Sequence, residues 1–200
     1  MILFVQGPSH SGKSTMARAI ARRTGASVFS LDLLKMGLLR SGNADFAGLT
    51  PLDDAEIEVR LWPIVREAAR TARENGQSVV FEGAYLPFAE VSAWIRSLPK
   101  TGAPEDGVTA AAIAFTPDYV EQHYEAIASH ADSAERRIGQ STPAVSKLLA
   151  DHREVRRKAA AHGWILIEVD SPDDWTKKVE GLEGLPAGVW KSFADTRGFQ

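Results

Sequence analysis

The chain has 200 residues, of which 44% are hydrophobic and 24% are charged, and its formal net charge is -3. This length suits one α/β domain with a substantial core. The negative charge argues against a general nucleic-acid-binding protein, and the absence of cysteine excludes disulfides and thiolate metal sites. The apolar start of the chain resembles a first core strand more than a signal peptide or a membrane span. We therefore expect a cytoplasmic protein with no membrane partner.

The first strand leads directly into a glycine-rich segment. Residues 2–6 are predicted to be a buried strand, and Gly7-Pro8-Ser9-His10-Ser11-Gly12-Lys13-Ser14-Thr15 follows, ahead of a helix that Gly25 ends. A strand, the pattern Gly-x-x-x-x-Gly-Lys-Ser and a helix, in that order, are typical of the phosphate-binding loop of nucleotide-binding proteins. We therefore predict that residues 7–15 bind a nucleoside triphosphate.

The residue types of this loop explain the prediction. Gly7 and Gly12 allow the main chain to approach a polyphosphate, and the amides at the start of the next helix donate to its oxygens. Lys13 is predicted to contact the β- and γ-phosphates, and the Ser14 hydroxyl is predicted to ligate Mg²⁺.

The remaining elements alternate along the chain, which predicts a parallel sheet with helices on both faces. The predicted strands are residues 2–6, 26–31, 78–81, 108–115 and 164–169. The predicted helices are residues 15–24, 33–39, 53–75, 88–98, 117–132, 143–162 and 173–182. Ligands of such sheets bind beyond the carboxyl ends of the strands, so the loop, Asp32, Glu82 and Thr116 are candidate site residues.

Three short segments add to the loop: Ser30-Leu31-Asp32, Phe81-Glu82-Gly83 and Arg136-Arg137. In this order they resemble the nucleoside-monophosphate-kinase superfamily, in its small-molecule branch of shikimate kinase, chloramphenicol phosphotransferase, zeta-toxin kinases and 2-phosphoglycerate-kinase-like proteins. The resemblance covers roughly residues 1–170. Residues 82–87 depart from the Asp-Gly-Phe-Pro-Arg segment of nucleotide kinases, which favours a small metabolite or an antibiotic-like alcohol as the acceptor.

The resemblance implies a phosphate-loop NTPase fold, with three α/β/α layers, a five-stranded parallel sheet and a small helical lid. It also implies a kinase that uses ATP and Mg²⁺ to phosphorylate a hydroxyl of a small molecule. Residues 1–184 would form one kinase domain, with the lid at about 130–145 and the acceptor region at about 32–62. Residues 185–200 would be a tail. A toxin-type kinase of a nucleotide sugar and a non-catalytic ATP-binding regulator are the alternative functions.

Catalytic roles follow for four residues. Lys13 would hold the phosphates, and Asp32 would accept or orient the proton of the acceptor hydroxyl, although a helix N-cap is its structural alternative. Arg136 and Arg137 would place cations of the lid over ATP, unless they belong to a solvated helix face.

The remaining predicted site residues concern the acceptor and the metal. Glu82 would hold Mg²⁺ through water or bind the acceptor, with a structural carboxylate as the alternative. Lys35 and Arg60 would bind an anionic acceptor or serve as surface cations. Gly83 and Tyr85 would line the acceptor pocket.

Overall fold

The computed structural model describes residues 1–99, 107–129, 143–181 and 185. The strands are β1 Ile2–Gln6, β2 Ser27–Ser30, β3 Val79–Glu82, β4 Val108–Phe115 and β5 Ile165–Val169. The helices are α1 Lys13–Thr24, α2 Leu31–Arg40, α3 Asp54–Glu74, α4 Phe88–Ser97, α5 Pro117–Ser129, α6 Val145–His162 and α7 Pro172–Asp174. A 3₁₀ turn, Ala44–Phe46, precedes α3, and a π-helical turn, Trp175–Glu180, continues α7.

The five strands form one parallel sheet in the order β2-β3-β1-β4-β5. This confirms the predicted α/β architecture. The central strand β1 pairs Val5 with Glu82 of β3 and Gln6 with Ala112 of β4. The loop after β1 therefore lies at the middle of the carboxyl edge, with the end of β3 on one side and the end of β4 on the other.

Alternate residues of β1 belong to the two different cores of the sheet. Leu3 and Val5 pack in one core with α1 residues such as Ile20, whereas Ile2 and Phe4 pack in the other with residues of α3 and α4. Because strand side chains alternate between faces, a wholly buried strand requires helices on both sides. The three-layer α/β/α arrangement follows.

The second strand ends one residue earlier than predicted, which changes the position of Asp32. β2 ends at Ser30, where it pairs with Glu82, the last residue of β3. No strand remains for Leu31 to pair with, so the chain enters α2 at once. Asp32 consequently lies in the first turn of α2 and not at a strand end.

The predicted lid and tail cannot be compared in the same way. Residues 130–142, with Arg136 and Arg137, and residues 186–200 lie outside the described residues. Within the described part, no helix is both long and apolar enough to cross a bilayer.

Phe4 is the central contact of the α3/α4 core. Its ring lies 5.5 Å from Phe81, 6.0 Å from Trp62 and 5.9 Å from Trp94, measured between centroids. We predict that Phe4→Ala lowers the free energy of unfolding by about 3–5 kcal/mol, because it leaves a cavity among three aromatic rings. Urea unfolding measures this. The control is Val59→Ala, at a side chain 66% exposed on α3, which should change stability by less than about 0.5 kcal/mol. Equal effects of the two changes would contradict this packing.

Candidate functional site

The loop between β1 and α1 has no room for side chains at its two key glycines. Gly12 caps α1 with φ 85°, in the left-handed region that glycine adopts without strain. A Cβ on Gly7 would lie 2.5 Å from Ser11 Oγ and 2.8 Å from the Ile113 carbonyl oxygen of β4. The loop backbone is therefore packed directly on the sheet, which leaves its outer side to face a ligand.

Lys13, the first residue of α1, turns back over this loop. Its ammonium is buried and donates to the Pro8 carbonyl at 3.1 Å. The same carbonyl accepts from the Ser11 amide at 3.3 Å. A buried cation at the N-terminus of a helix suits a polyphosphate.

Ser14 and Glu82 bring two oxygen ligands together beside Lys13. The Ser14 hydroxyl donates to Glu82 Oε2 at 3.1 Å, and the Glu82 residue is 1% exposed. Mg²⁺ is usually bound by one or two protein oxygens together with phosphates and water. In the described part of the chain, no cluster of three or more His, Cys, Asp or Glu side chains offers a complete metal site. This donor set therefore fits a magnesium ion that arrives with a nucleotide.

A cavity of about 610 Å³ opens on the β4 side of the loop. Three segments distant in sequence form it: α1, α5 and the turn after β5. Beyond the loop, its lining includes Arg18, Arg22, Phe115, Tyr119, His123, Pro172, Trp175 and Glu180. The Trp175 indole closes over the loop, since a Cβ on Gly12 would lie 2.2 Å from its Cη2. Aromatic rings and cations next to a phosphate loop suit the base, ribose and phosphates of a nucleotide.

The lining residues beyond the loop were not predicted from the sequence. The strand-end rule pointed to Thr116, whose neighbour Phe115 lines the cavity. The same rule, applied to the end of β5, would have pointed to the segment that holds Pro172 and Trp175.

A second group of polar side chains lies on the β2 side of the loop. The buried Lys35 ammonium donates to the Tyr85 hydroxyl and lies 3.7 Å from Asp32 Oδ1. The Tyr85 hydroxyl donates to Asp54 Oδ1 at 3.0 Å. We call these four residues, Asp32, Lys35, Asp54 and Tyr85, the Lys35 network. Asp54 was not a predicted site residue, although it begins α3 within the predicted acceptor region.

The structure also shows where the other predicted acceptor residues lie. A Cβ on Gly83 would lie 2.7 Å from Leu31 Cβ, so this glycine permits α2 to pack on the end of β3. Arg60 is not part of the Lys35 network. Its guanidinium donates to Glu56 Oε1 at 2.7 Å and to the Asp45 carbonyl, which ties α3 to the 3₁₀ turn.

Asp32 is not the N-cap of α2. Ser30 holds that position, and its side chain makes no capping hydrogen bond. The structural alternative considered for Asp32 is therefore wrong, because the helix begins one residue before it. The Asp32 carboxylate is half-buried and faces Lys35.

The family model for an AAA domain matches residues 2–139. The chain belongs to this family. No functionally curated protein matches the sequence.

Solved structures show the same phosphate-loop kinase fold. A putative kinase from Chloroflexus aurantiacus has a TM-score of 0.52 at 17% identity, covering 100% of this chain and 98% of its own. A gluconokinase from Sinorhizobium meliloti has a TM-score of 0.51 at 19% identity, covering 98% and 94%. A sugar kinase from a Janibacter species has a TM-score of 0.50 at 17% identity, covering 100% and 98%. The predicted kinase fold is thereby confirmed.

The position of Trp175 provides a fluorescence test of nucleotide binding. We predict that a bound nucleotide changes the tryptophan emission of the protein, because the indole lies over Gly12 at the mouth of the cavity. Trp62, Trp94 and Trp164 are buried away from this mouth and should respond little. Because Trp190 lies outside the described residues, it is replaced by Phe throughout, and titration of ADP with Mg²⁺ into this background with and without Trp175→Phe measures the effect. A spectral change that persists in full in Trp175→Phe would contradict nucleotide binding in this cavity.

Proposed function

We propose that this protein is an ATP-dependent kinase that transfers the γ-phosphoryl group to a hydroxyl of a small molecule. One observation carries the proposal: the phosphate loop and the Ser14–Glu82 pair lie between the 610 Å³ cavity and the Lys35 network. The strand order explains this, because β1 and β3 separate β4 from β2. A nucleotide on one side and an acceptor on the other would meet at the loop.

The loop side would hold ATP and Mg²⁺. The loop amides and Lys13 would bind the β- and γ-phosphates, with Lys13 exchanging the Pro8 carbonyl for phosphate oxygens. Ser14 would ligate Mg²⁺, and Glu82 would hold it directly or through water. Phosphoryl transfer depends mainly on positioning and charge stabilisation, which these groups supply.

Asp32 would act on the acceptor. Its carboxylate would take the hydroxyl proton while the acceptor oxygen forms a bond to the γ-phosphorus and the bond to the β-phosphate oxygen breaks, releasing ADP. Lys35 at 3.7 Å would hold this carboxylate in place. Glu82 is the alternative base, since it lies next to the loop on β3.

The Lys35 network also indicates the kind of acceptor. Carboxylates, a phenol and one ammonium form hydrogen bonds with hydroxyl groups, as a polyhydroxylated metabolite would require. Arg60 lies outside the Lys35 network and contacts Glu56 and the Asp45 carbonyl, so the network itself contains one cation, Lys35. Two structural neighbours, a sugar kinase and a gluconokinase, support a sugar-like acceptor.

We also propose that residues 1–184 form one kinase domain, with Arg136 and Arg137 as cations of a lid at about 130–145. We propose a cytoplasmic location, because ATP and small metabolites are available there.

We predict that Asp32→Asn lowers kcat by about 10²-fold or more and leaves ATP affinity little changed. Asparagine keeps the shape of the side chain but cannot take a proton. The measurement is ADP release in the presence of an acceptor found by screening hydroxyl metabolites, with Lys13→Ala as the inactive reference.

Asp118→Asn is the matched control, because Asp118 is also the second residue of its helix and is exposed. It should retain wild-type turnover. If Asp32→Asn is as active as Asp118→Asn, Asp32 is not the base, and Glu82 takes its place. If Lys13→Ala turns over ATP like the wild type, the kinase proposal fails.

A further inference from the structure

The end of β4 borders the phosphate loop from the inside. The Thr116 amide donates to the Val169 carbonyl of β5 at 3.0 Å. Successive strand amides point to opposite sides, so the Phe115 amide points toward β1. The last residue of β1, Gln6, pairs with Ala112, and beyond it the chain leaves the sheet as the phosphate loop. The Phe115 amide therefore faces the space beneath the loop.

A buried histidine of α6 fills this space. His152 Nδ1 accepts the Phe115 amide at 2.8 Å, and the two rings stack with their centroids 4.7 Å apart. Acceptance at Nδ1 leaves the proton of the neutral ring on Nε2. Burial, together with the nearby cations Arg156 and Lys13, lowers the pKa of His152 to about 3. The ring is thus a neutral donor at physiological pH.

The Nε2–H group of His152 has no hydrogen-bond partner within the described residues. The Nε2 atom is buried, and the whole His152 residue is 1% exposed. A donor buried this deeply is satisfied by a neighbouring protein group or by a buried water. Buried donors without acceptors are rare and destabilising, so an acceptor on a neighbouring protein group would stabilise this site.

Ser11 of the phosphate loop offers the complementary group. Its hydroxyl is also buried without a partner in the described part of the chain. A Cβ on Gly7 would lie 2.5 Å from Ser11 Oγ and 2.8 Å from the Ile113 carbonyl oxygen. Ser11 Oγ is therefore close to this carbonyl. Ile113 and Phe115 share the same edge of β4, since alternate residues of a strand face the same neighbour. The two unpaired groups therefore lie along one edge of β4, beneath one loop.

We propose that His152 and Ser11 are positioning residues that form a hydrogen bond when a nucleotide fills the phosphate loop, with His152 Nε2–H donating to Ser11 Oγ. The inference rests on the nucleotide binding of the proposed function. A bound phosphate attracts Lys13, which leaves the Pro8 carbonyl that also accepts the Ser11 amide. The loop around Ser11 then shifts toward α6. The bond fastens the filled loop to the end of β4.

Calorimetric titration with ADP and Mg²⁺ tests this bond. His152→Asn keeps an oxygen that can accept the Phe115 amide but lacks Nε2–H, and Ser11→Ala lacks the acceptor. We expect each change to weaken ADP binding by about tenfold, and the double variant to be no weaker than either single variant. His162→Asn is the control, because His162 is the last residue of α6, and this variant should bind ADP like the wild type.

Nitrogen-15 NMR distinguishes the proposed bond from a purely structural role of His152. The Nε2–H resonance of His152 should shift when ADP binds to the wild type, and this shift should be lost in Ser11→Ala. Because this comparison does not use His152→Asn, it tests the bond even if that variant fails to fold. If the double variant binds ADP about a hundredfold more weakly than the wild type, the two residues act independently and the proposed bond is wrong. A His152 resonance that does not respond to bound ADP would also contradict the bond, but not the proposed function. A wild type that binds no ADP would overturn the proposed function as well.

Discussion

The packing of the phosphate loop directly on β4 is the constraint on which the rest of the site depends. Gly7 leaves no space between the loop and the Ile113 carbonyl, and Gly12 begins α1 with a left-handed backbone. Any side chain at Gly7 would push the loop off the sheet. Because the loop is held there, Lys13 and the N-terminus of α1 lie at the centre of the carboxyl edge, where a polyphosphate can bind.

The strand order then divides the functions of the site. β4 and β5 lead into the cavity that suits a nucleotide, whereas β3 and β2 lead to Glu82 and the Lys35 network. Glu82 connects the two sides, since it pairs with Val5 and accepts from the Ser14 hydroxyl. A metal-bound phosphate next to Glu82 would therefore face an acceptor next to Asp32. The buried Lys35 ammonium is paired with the Asp32 carboxylate and the Tyr85 hydroxyl. This pairing is required because an unpaired buried ammonium is destabilising.

Local sequence signals predicted the fold and the loop. Features that depend on contacts between distant segments could not be predicted. The loop is continuous in sequence, and the apolar strands have clear lengths, so the parallel sheet could be predicted. The end of β2 could not, because it depends on where its neighbour β3 stops. Trp175, Asp54 and His152 escaped prediction for a similar reason: each reaches the site from an element far from the loop in sequence. No local motif marks such residues. Arg60 shows the same limit, since its place in the sequence did not distinguish a cation for the acceptor from a surface cation, and the structure shows it bound to the Asp45 carbonyl.

Transfer of a labelled phosphate tests the central claim most directly. The protein would be incubated with Mg²⁺ and ATP carrying a radioactive γ-phosphate, together with pools of hydroxyl metabolites that include sugars and polyols. We expect the label to appear in one phosphate ester, in an amount equal to the ADP formed and only when its acceptor is present. ADP formation without an acceptor and with all label in inorganic phosphate, or nucleotide binding with no turnover in any pool, would contradict a small-molecule kinase.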